Sequence, residues 1–312
     1  MSTLSIRHLT RYRYRRAVGF GEHRMMFRPQ ESYDQRVLAS HVAISPAPSR
    51  LRYVQDVFGN CVGIARFDAR ATELTFESKV RLEHAPLPAF ADLDGEIEPY
   101  TGAMPFAYSP EDMPDLLRSL ERHYPDPGGV VERWARRFVN RRGPTSLQSL
   151  LADITGAIHA DFSYKSRLEV GTQAPHETLK LRRGSCRDFA MLMIESVRSL
   201  GLAARYVSGY LYSPARARRG VAARGSGHTH AWARVYLPAC GWVEFDPTNG
   251  IVGNGDLIRV AIARDPRQAV PLHGSFEGLA TDFVGMDVEV EVTTETTPEA
   301  RAWPPASRAE AA

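Results

Sequence analysis

Residues 1–90 form short runs in which apolar and polar side chains alternate, and proline or glycine separates one run from the next. Alternation with a period of two places the apolar side chains on one face of a β-strand. Several short strands in succession are typical of an antiparallel sandwich or barrel. The runs that predict strands are residues 4–14, 37–44, 51–57, 61–67 and 73–82.

Proline is dense between residues 84 and 114. Because proline lacks a backbone N–H and has a fixed φ, such density disfavours helices and central strands. We therefore expect a linker or a packed extended segment here. The prolines are Pro86, Pro88, Pro99, Pro105, Pro110 and Pro114.

Helical periodicity takes over in the next part of the chain. Apolar residues recur at helical spacing in residues 130–140 and 146–160, and Thr145 or Ser146 is placed to cap the second helix. A third helix is predicted from Cys186 to Gly201, because glycine commonly follows the end of a helix. Strand patterns then return at residues 204–212, 230–237, 242–246, 257–263 and 284–292.

The order of these elements predicts an α+β protein, since a run of strands is followed by helices and then by strands again. A chain of 312 residues is long enough for two hydrophobic cores. The last residues are rich in Pro, Ala, Glu and Thr and are expected to be disordered. The predicted parts are an antiparallel, sandwich-like β domain at 1–90, a proline-rich linker at 91–125, a core at 126–292 and a disordered tail at 293–312.

Composition narrows the class of protein further. Hydrophobic residues make up 43% and charged residues 24% of the chain, as in ordinary globular proteins. The net charge of +3 is small, so a nucleic-acid partner is not expected. No apolar stretch reaches the roughly 20 residues that a bilayer needs, and the start lacks the apolar core of a secretory signal. We therefore expect no membrane partner, a cytoplasmic location and three reduced cysteines.

Cys186 stands out among these cysteines because of its place at the predicted start of a helix. Gly184 permits a close backbone approach there, and Ser185 is a good N-cap residue. Unpaired N–H groups and the positive end of the helix dipole favour the thiolate form of a cysteine in the first turn. The backbone N–H of Cys186 is also a candidate donor to an oxyanion. The alternative interpretation is a small buried residue at a helix start.

His230 and Asp246 lie at matching ends of a predicted β-hairpin. Residues 235–237 and 242–245 have strand patterns, and residues 238–241 between them predict the turn. His230 and Asp246 can meet only if their two strands present them on the same face. That register requires an odd number of loop residues or a β-bulge at the turn.

Together the three residue types suit acyl transfer on an amide. A thiolate attacks the carbonyl carbon, and the neighbouring imidazolium gives its proton to the leaving amine. A carboxylate holds the imidazole in the productive orientation and tautomer. The acyl group is then released to water or to another amine.

At these residues the sequence resembles the bacterial transglutaminase-like superfamily, whose core is related to papain-type cysteine proteases. The resemblance rests on three blocks in the same order: GSCRDFA at 184–190, HAWARVYLPACGW at 230–242 and VEFDPT at 243–248. The strand-rich start also resembles the β domain that precedes this core in many bacterial members. The segment 263–278 departs from the family pattern and keeps Arg264, Asp265, Pro271 and Gly274.

The resemblance implies a papain-like or transglutaminase-like catalytic core at 126–292, with the nucleophile at a helix N-terminus packed on an antiparallel sheet. It places Cys186, His230 and Asp246 on the catalytic positions and implies no cofactor and no metal. Arg187 and Asp188 beside the nucleophile are expected to be structural supports. The implied substrate is a peptide, a protein or a small amide, with the choice between hydrolysis and transamidation left open.

Several alternatives accompany this interpretation. A metal site of Cys186, His228 and His230 is conceivable but lacks the usual ligand spacing. Tyr164 is a candidate oxyanion donor or an ordinary strand tyrosine, and Trp232 is expected to pack beside the site. The arginine-rich segment 214–227 is either a cover that favours acidic substrates or a solvated loop. A catalytically silent binding or scaffold module is the alternative function, although all three catalytic residue types are present. Neither a serine-hydrolase elbow nor a dinucleotide-binding motif occurs.

Overall fold

The computed structural model describes residues 2–86, 96–97, 106–166, 171–212, 227–238 and 240–295. Most of the arginine-rich segment at 214–227 and the tail beyond residue 295 lie outside these residues, as do Pro88, Pro99 and Pro105. None of the described helices is long and apolar enough to cross a membrane.

The N-terminal region consists of antiparallel strands, as the alternation predicts. One sheet has β1 beside β6 and β6 beside β3, and a second sheet has β2 beside β5 and β5 beside β4. Aromatic and aliphatic side chains, including Phe20, Phe27 and Phe76, form a buried cluster in this region. The strands are β1 (Ser2–Phe20), β2 (His23–Met25), β3 (Gln35–Ser45), β4 (Arg50–Gln55), β5 (Cys61–Arg66) and β6 (Ala71–His84).

The second region combines helices with a five-stranded antiparallel sheet, which confirms the α+β prediction. The order of strands in this sheet is β14-β13-β12-β11-β15. The helices are α1 (Met113–Leu120), α2 (Val130–Ala135), α3 (Leu147–Asp161), α4 (Pro175–Leu181) and α5 (Cys186–Ser199). The strands are β7 (Glu96–Ile97), β8 (Thr145–Ser146), β9 (Ser163–Tyr164), β10 (Arg183–Gly184), β11 (Ala204–Leu211), β12 (His230–Leu237), β13 (Gly241–Asp246), β14 (Ile251–Val252) and β15 (Leu257–Ala263).

The chain then returns to the N-terminal sheets through β16 (Leu272–His273), β17 (Phe276–Glu277) and β18 (Phe283–Thr294). β18 pairs with β1 in antiparallel register from Leu4↔Thr294 to Tyr14↔Phe283. The predicted strand at 284–292 thus exists, but it lies in the first sheet rather than beside the helices that precede it. The same strand carries the chain to Thr294, two residues into the segment expected to be disordered.

Helix α5 is the centre of the second core because it is buried on nearly every side. It packs against β11 and β12 on one side and against α2 and α4 on others. Its buried residues include Phe189, Leu192 and Ile194, all with no exposed surface. A helix enclosed in this way has little freedom to shift, so its first residue is held firmly relative to the sheet.

Two helices differ from the sequence-based expectation. α1 begins at Met113, inside the proline-rich segment, and has a proline in its first turn. Proline is tolerated there because backbone N–H groups in the first turn of a helix have no hydrogen-bond partner within the helix. α4 starts at Pro175 in the same way and extends over only seven residues, too few for a clear period. In α3 the expected cap is present, since the Ser146 hydroxyl accepts a hydrogen bond from the Ser149 N–H.

Candidate active site

The hairpin of β12 and β13 has the register that brings His230 and Asp246 to one face. Leu237 pairs with Gly241 and Arg234 pairs with Glu244, so three residues, 238–240, separate the two strands. The register that lets His230 and Asp246 meet is therefore confirmed, and the turn has three residues instead of the four predicted at 238–241. Because even-numbered positions face each other throughout, the side chains of His230 and Asp246 point to the same side.

His230 and Asp246 form a buried ion pair at this end of the hairpin. His230 donates from Nε2 to Oδ2 of Asp246 over 2.8 Å, and neither side chain is exposed to solvent. Burial opposes the charge on the imidazole, but the Asp246 carboxylate outweighs it and raises the pKa of His230 to about 10. The imidazolium is thus the favoured form at neutral pH.

The Asp246 carboxylate is held by donors from the turn that follows β13. Oδ1 accepts from the Thr248 N–H over 2.9 Å and from the Asn249 N–H over 3.3 Å. Oδ2 accepts from Nδ2 of Asn249 over 2.8 Å as well as from His230. Although burial raises the pKa of Asp246, the His230 charge and these donors outweigh it and lower the pKa below its ordinary value.

Cys186 is the first residue of α5, as the sequence predicts. Asp188 fixes this helix start, because its Oδ2 accepts from both the N–H and the hydroxyl of Ser185 over 2.8 Å each. Its Oδ1 accepts from the Gln173 N–H over 2.6 Å. A Cβ on Gly184 would lie 2.8 Å from the Cβ of Asp188, so glycine is required for this close approach.

The thiol of Cys186 lies next to the His230 ring. Burial and Asp246 have the largest effects on the pKa of His230. Cys186 comes next and raises this pKa, because it favours the charged form of the ring. Nδ1 of His230 is buried and has no hydrogen-bond partner among the residues that the structure describes. Since Asp246 uses Nε2, Nδ1 is the nitrogen left for the thiol. Cys186 is 8% exposed, so most of the residue is shielded from solvent.

Comparisons with known proteins identify the family to which this chain belongs. The model of the bacterial transglutaminase-like N-terminal region matches residues 4–83, and that of the transglutaminase-like superfamily matches residues 132–247. An uncharacterised protein of Mycobacterium tuberculosis is 31% identical over 298 residues, which cover 92% of this chain and 91% of that protein. The chain belongs to the transglutaminase-like superfamily.

Two further relatives extend this result. An uncharacterised protein of Mycobacterium leprae is 31% identical to this transglutaminase-like chain over 314 residues, covering 94% of the chain and 99% of the relative. A solved structure of a candidate cysteine protease from Cytophaga hutchinsonii superposes with a TM-score of 0.69 at 18% identity. That superposition covers 97% of this chain and 93% of the other. The two chains therefore share a transglutaminase-like fold that includes the N-terminal β region.

Two aromatic residues predicted from the sequence lie near His230 and Cys186 in this transglutaminase-like core. Trp232 has no exposed surface, and its ring stacks on His230 with centroids 6.0 Å apart. Tyr164 is half-buried, and burial, with a further contribution from Cys186, raises its pKa to about 12. Its hydroxyl therefore keeps its proton at neutral pH and is available as a hydrogen-bond donor.

His228 and the other cysteines occupy different surroundings. His228 is exposed, and its Nδ1 donates to the Val288 carbonyl oxygen in β18 over 3.1 Å. In the described part of the chain, no three His, Cys, Asp or Glu side chains converge to form a metal-binding group. Cys61 begins β5 in the N-terminal region, and Cys240 precedes β13; both cysteines are half-buried and lie outside any disulfide.

Three residues at the site were not identified from sequence. Thr248 and Asn249 hold the carboxylate of Asp246, and Tyr206 on β11 is buried near Cys186. Asparagine and threonine just after a strand are common turn residues, so their presence alone carries no signal for a role in a site. The tyrosine lies in an apolar strand pattern that is explained by burial.

Proposed function

We propose that this chain is a cysteine-dependent enzyme that transfers acyl groups from amide bonds through a thioester on Cys186. His230 would act as the acid and base, and Asp246 would orient and charge the imidazole. The observation that carries the proposal is the buried 2.8 Å pair of His230 and Asp246, with Cys186 close enough to the imidazole to influence its pKa.

In the acylation step the Cys186 thiolate attacks the amide carbonyl carbon and forms the carbon–sulfur bond. The developing oxyanion would be stabilised by the backbone N–H of Cys186 and by the protonated Tyr164 hydroxyl. When the carbon–nitrogen bond breaks, the His230 imidazolium gives its proton to the leaving amine. The products of this step are a free amine, a thioester and a neutral imidazole.

In the second step the neutral imidazole removes a proton from water or from a primary amine, which attacks the thioester carbonyl. The carbon–sulfur bond then breaks, and the thiolate and the imidazolium are restored. Attack by water releases an acid, whereas attack by an amine releases a new amide. The overall reaction is therefore amide hydrolysis or transamidation of a peptide, a protein or a small amide.

A substrate-profiling assay tests this proposal. Glutamine-containing peptides and γ-glutamyl amides are incubated with the protein, with and without an added primary amine, and ammonia and amine adducts are measured. We expect turnover with wild type and with Cys61→Ala, and none with Cys186→Ala. Equal product from wild type and Cys186→Ala would rule out the thioester route, and the absence of turnover on every substrate would favour a silent binding module.

A further inference from the structure

We propose that Asn249 is a positioning residue that locks the Asp246 carboxylate in the orientation His230 needs. The inference rests on the proposed function, because it assigns a task within the same site. Asn249 lies outside the three sequence blocks on which the family resemblance rests, and its role follows from contacts alone.

The side-chain amide of Asn249 contacts the ion pair at its shared oxygen. Nδ2 donates to Oδ2 of Asp246 over 2.8 Å, the oxygen that also accepts from His230. The same nitrogen lies 3.4 Å from Nε2 of His230. Asn249 is 2% exposed, so no bulk solvent competes for these contacts. The amide therefore stands beside the imidazole and limits how far the carboxylate can turn.

The backbone of Asn249 holds the other carboxylate oxygen. Its N–H and that of Thr248 both donate to Oδ1, so four donors surround Asp246 and Asn249 supplies two of them. A buried carboxylate with its acceptor sites filled by fixed donors stays charged and in one rotamer.

Helix α3 fixes the turn that carries Asn249. Nδ1 of His159 forms a 2.9 Å hydrogen bond with the Thr248 carbonyl oxygen. Since α3 is anchored in the core by Leu150, Ile154 and Ile158, the turn is tied to a rigid element. The amide of Asn249 is thus presented from a supported backbone, as expected of a group that orients a catalytic side chain.

The chemistry predicts a specific effect when this amide is removed. The hydrogen bond from Asn249 is one of the causes of the lowered pKa of Asp246. Without it the pKa of Asp246 rises, so the carboxylate becomes protonated at a higher pH. Removing a residue that orients a catalytic side chain without touching the substrate typically lowers activity on the order of tenfold or more.

The test compares Asn249→Ala and Asn249→Asp with wild type, Asn140→Ala and Cys186→Ala. Asn249→Asp keeps the shape of the side chain but lacks the N–H donor and adds a like charge beside Asp246. Asn140 is exposed, and its side chain forms hydrogen bonds with the nearby backbone of Arg142 and Pro144, so it serves as the matched control. The probe is p-nitrophenyl acetate, and kcat, KM, the pH dependence of kcat and the melting temperature are measured for each protein.

We expect kcat of both Asn249 variants to fall about tenfold, with little change in KM. The acidic limb of their pH dependence of kcat should move up by about one pH unit, because Asp246 becomes protonated at a higher pH. Asn140→Ala should match wild type. Wild-type kcat and an unmoved acidic limb in folded Asn249 variants would overturn the inference, as would failure of both variants to fold. If Cys186→Ala turns over the ester like wild type, the proposed function itself fails.

Discussion

At the scale of single residues, the charge on His230 depends above all on Asp246. Burial alone would lower the pKa of the imidazole, and the carboxylate reverses this and raises it to about 10. Asp246→Asn removes the carboxylate charge and replaces one acceptor oxygen by an NH2 donor, while the side chain keeps its shape. We expect turnover to fall by on the order of 10³-fold to 10⁴-fold, measured with the amide substrates, because the imidazole loses both its charge and its orientation.

The matched control for that variant is Asp161→Asn, which removes an exposed carboxylate that pairs with Arg182 at the surface. It should keep wild-type turnover. An Asp246→Asn protein that keeps more than about a tenth of wild-type turnover would contradict the assigned role.

The same pair predicts an alkaline limit for activity. Because the folded-state pKa of His230 is raised, the imidazolium persists through neutral pH and is lost only as the pH rises through about 10. The value of kcat/KM should therefore decrease on the alkaline side of its pH profile, with a midpoint near pH 10. A fall centred near pH 6.5, the ordinary value for histidine, would show that Asp246 does not control the imidazole.

At the scale of elements, β11 must approach its neighbours closely for β12 to carry His230 correctly. Gly209 on β11 pairs with His230, and a Cβ there would lie 2.1 Å from the Ile258 carbonyl oxygen and 2.6 Å from the Trp232 ring. Gly209→Ala should therefore push the strands apart, destabilise the protein by about 1–3 kcal/mol and reduce turnover. Urea denaturation and the ester assay check these two effects.

Gly156→Ala in α3 is the matched control for this change. Gly156 is exposed, and nothing lies within 4 Å of the Cβ position. Alanine in a helix should stabilise the protein by about 0.5–1 kcal/mol relative to glycine and leave turnover unchanged. Equal stability of the two variants would show that the packing of β11 tolerates a side chain.

At the scale of the whole molecule, the N-terminal sheet is joined to the core sheet through a buried histidine. His8 on β1 shares hydrogen bonds with the Tyr210 hydroxyl on β11 and with the Thr10 hydroxyl, at 2.9 and 3.1 Å. Burial lowers the pKa of His8 to about 4. The unfolded chain binds this proton near pH 6.5, so stability should fall as the pH decreases from 6.5 to 4, by about 3 kcal/mol from His8.

His8→Gln keeps a donor and an acceptor but does not titrate, so it should flatten part of this dependence. Unfolding free energies of the two proteins are compared at pH 7 and pH 4.5. Burial also lowers the pKa values of His23 and His84, so some acid sensitivity should persist in the variant. Identical pH dependence in both proteins would contradict the contribution of His8.

The part of the site that follows from local sequence rules could be predicted, and the part that depends on distant pairing could not. Ser185 and Gly184 indicated the helix start. Alternation showed that His230 and Asp246 must share a face, although the turn predicted at 238–241 was one residue too long for that register. The place of β18 was not evident, because Leu4 and Thr294 are joined only by sheet pairing across nearly the whole chain. No periodic pattern encodes such a contact, and none encodes the role of Asn249.

Competitive alkylation of the three cysteines tests most directly whether Cys186 and His230 form a reactive thiolate–imidazolium pair. The protein is treated with limiting iodoacetamide at pH 6, and the modified peptides are quantified by mass spectrometry. Burial raises the pKa of the Cys61 thiol, so Cys61 provides an unreactive reference in the same molecule. We predict selective modification of Cys186 in wild type and loss of that selectivity in His230→Gln. Slow, equal labelling of Cys186, Cys61 and Cys240, or unchanged selectivity in His230→Gln, would contradict the pair.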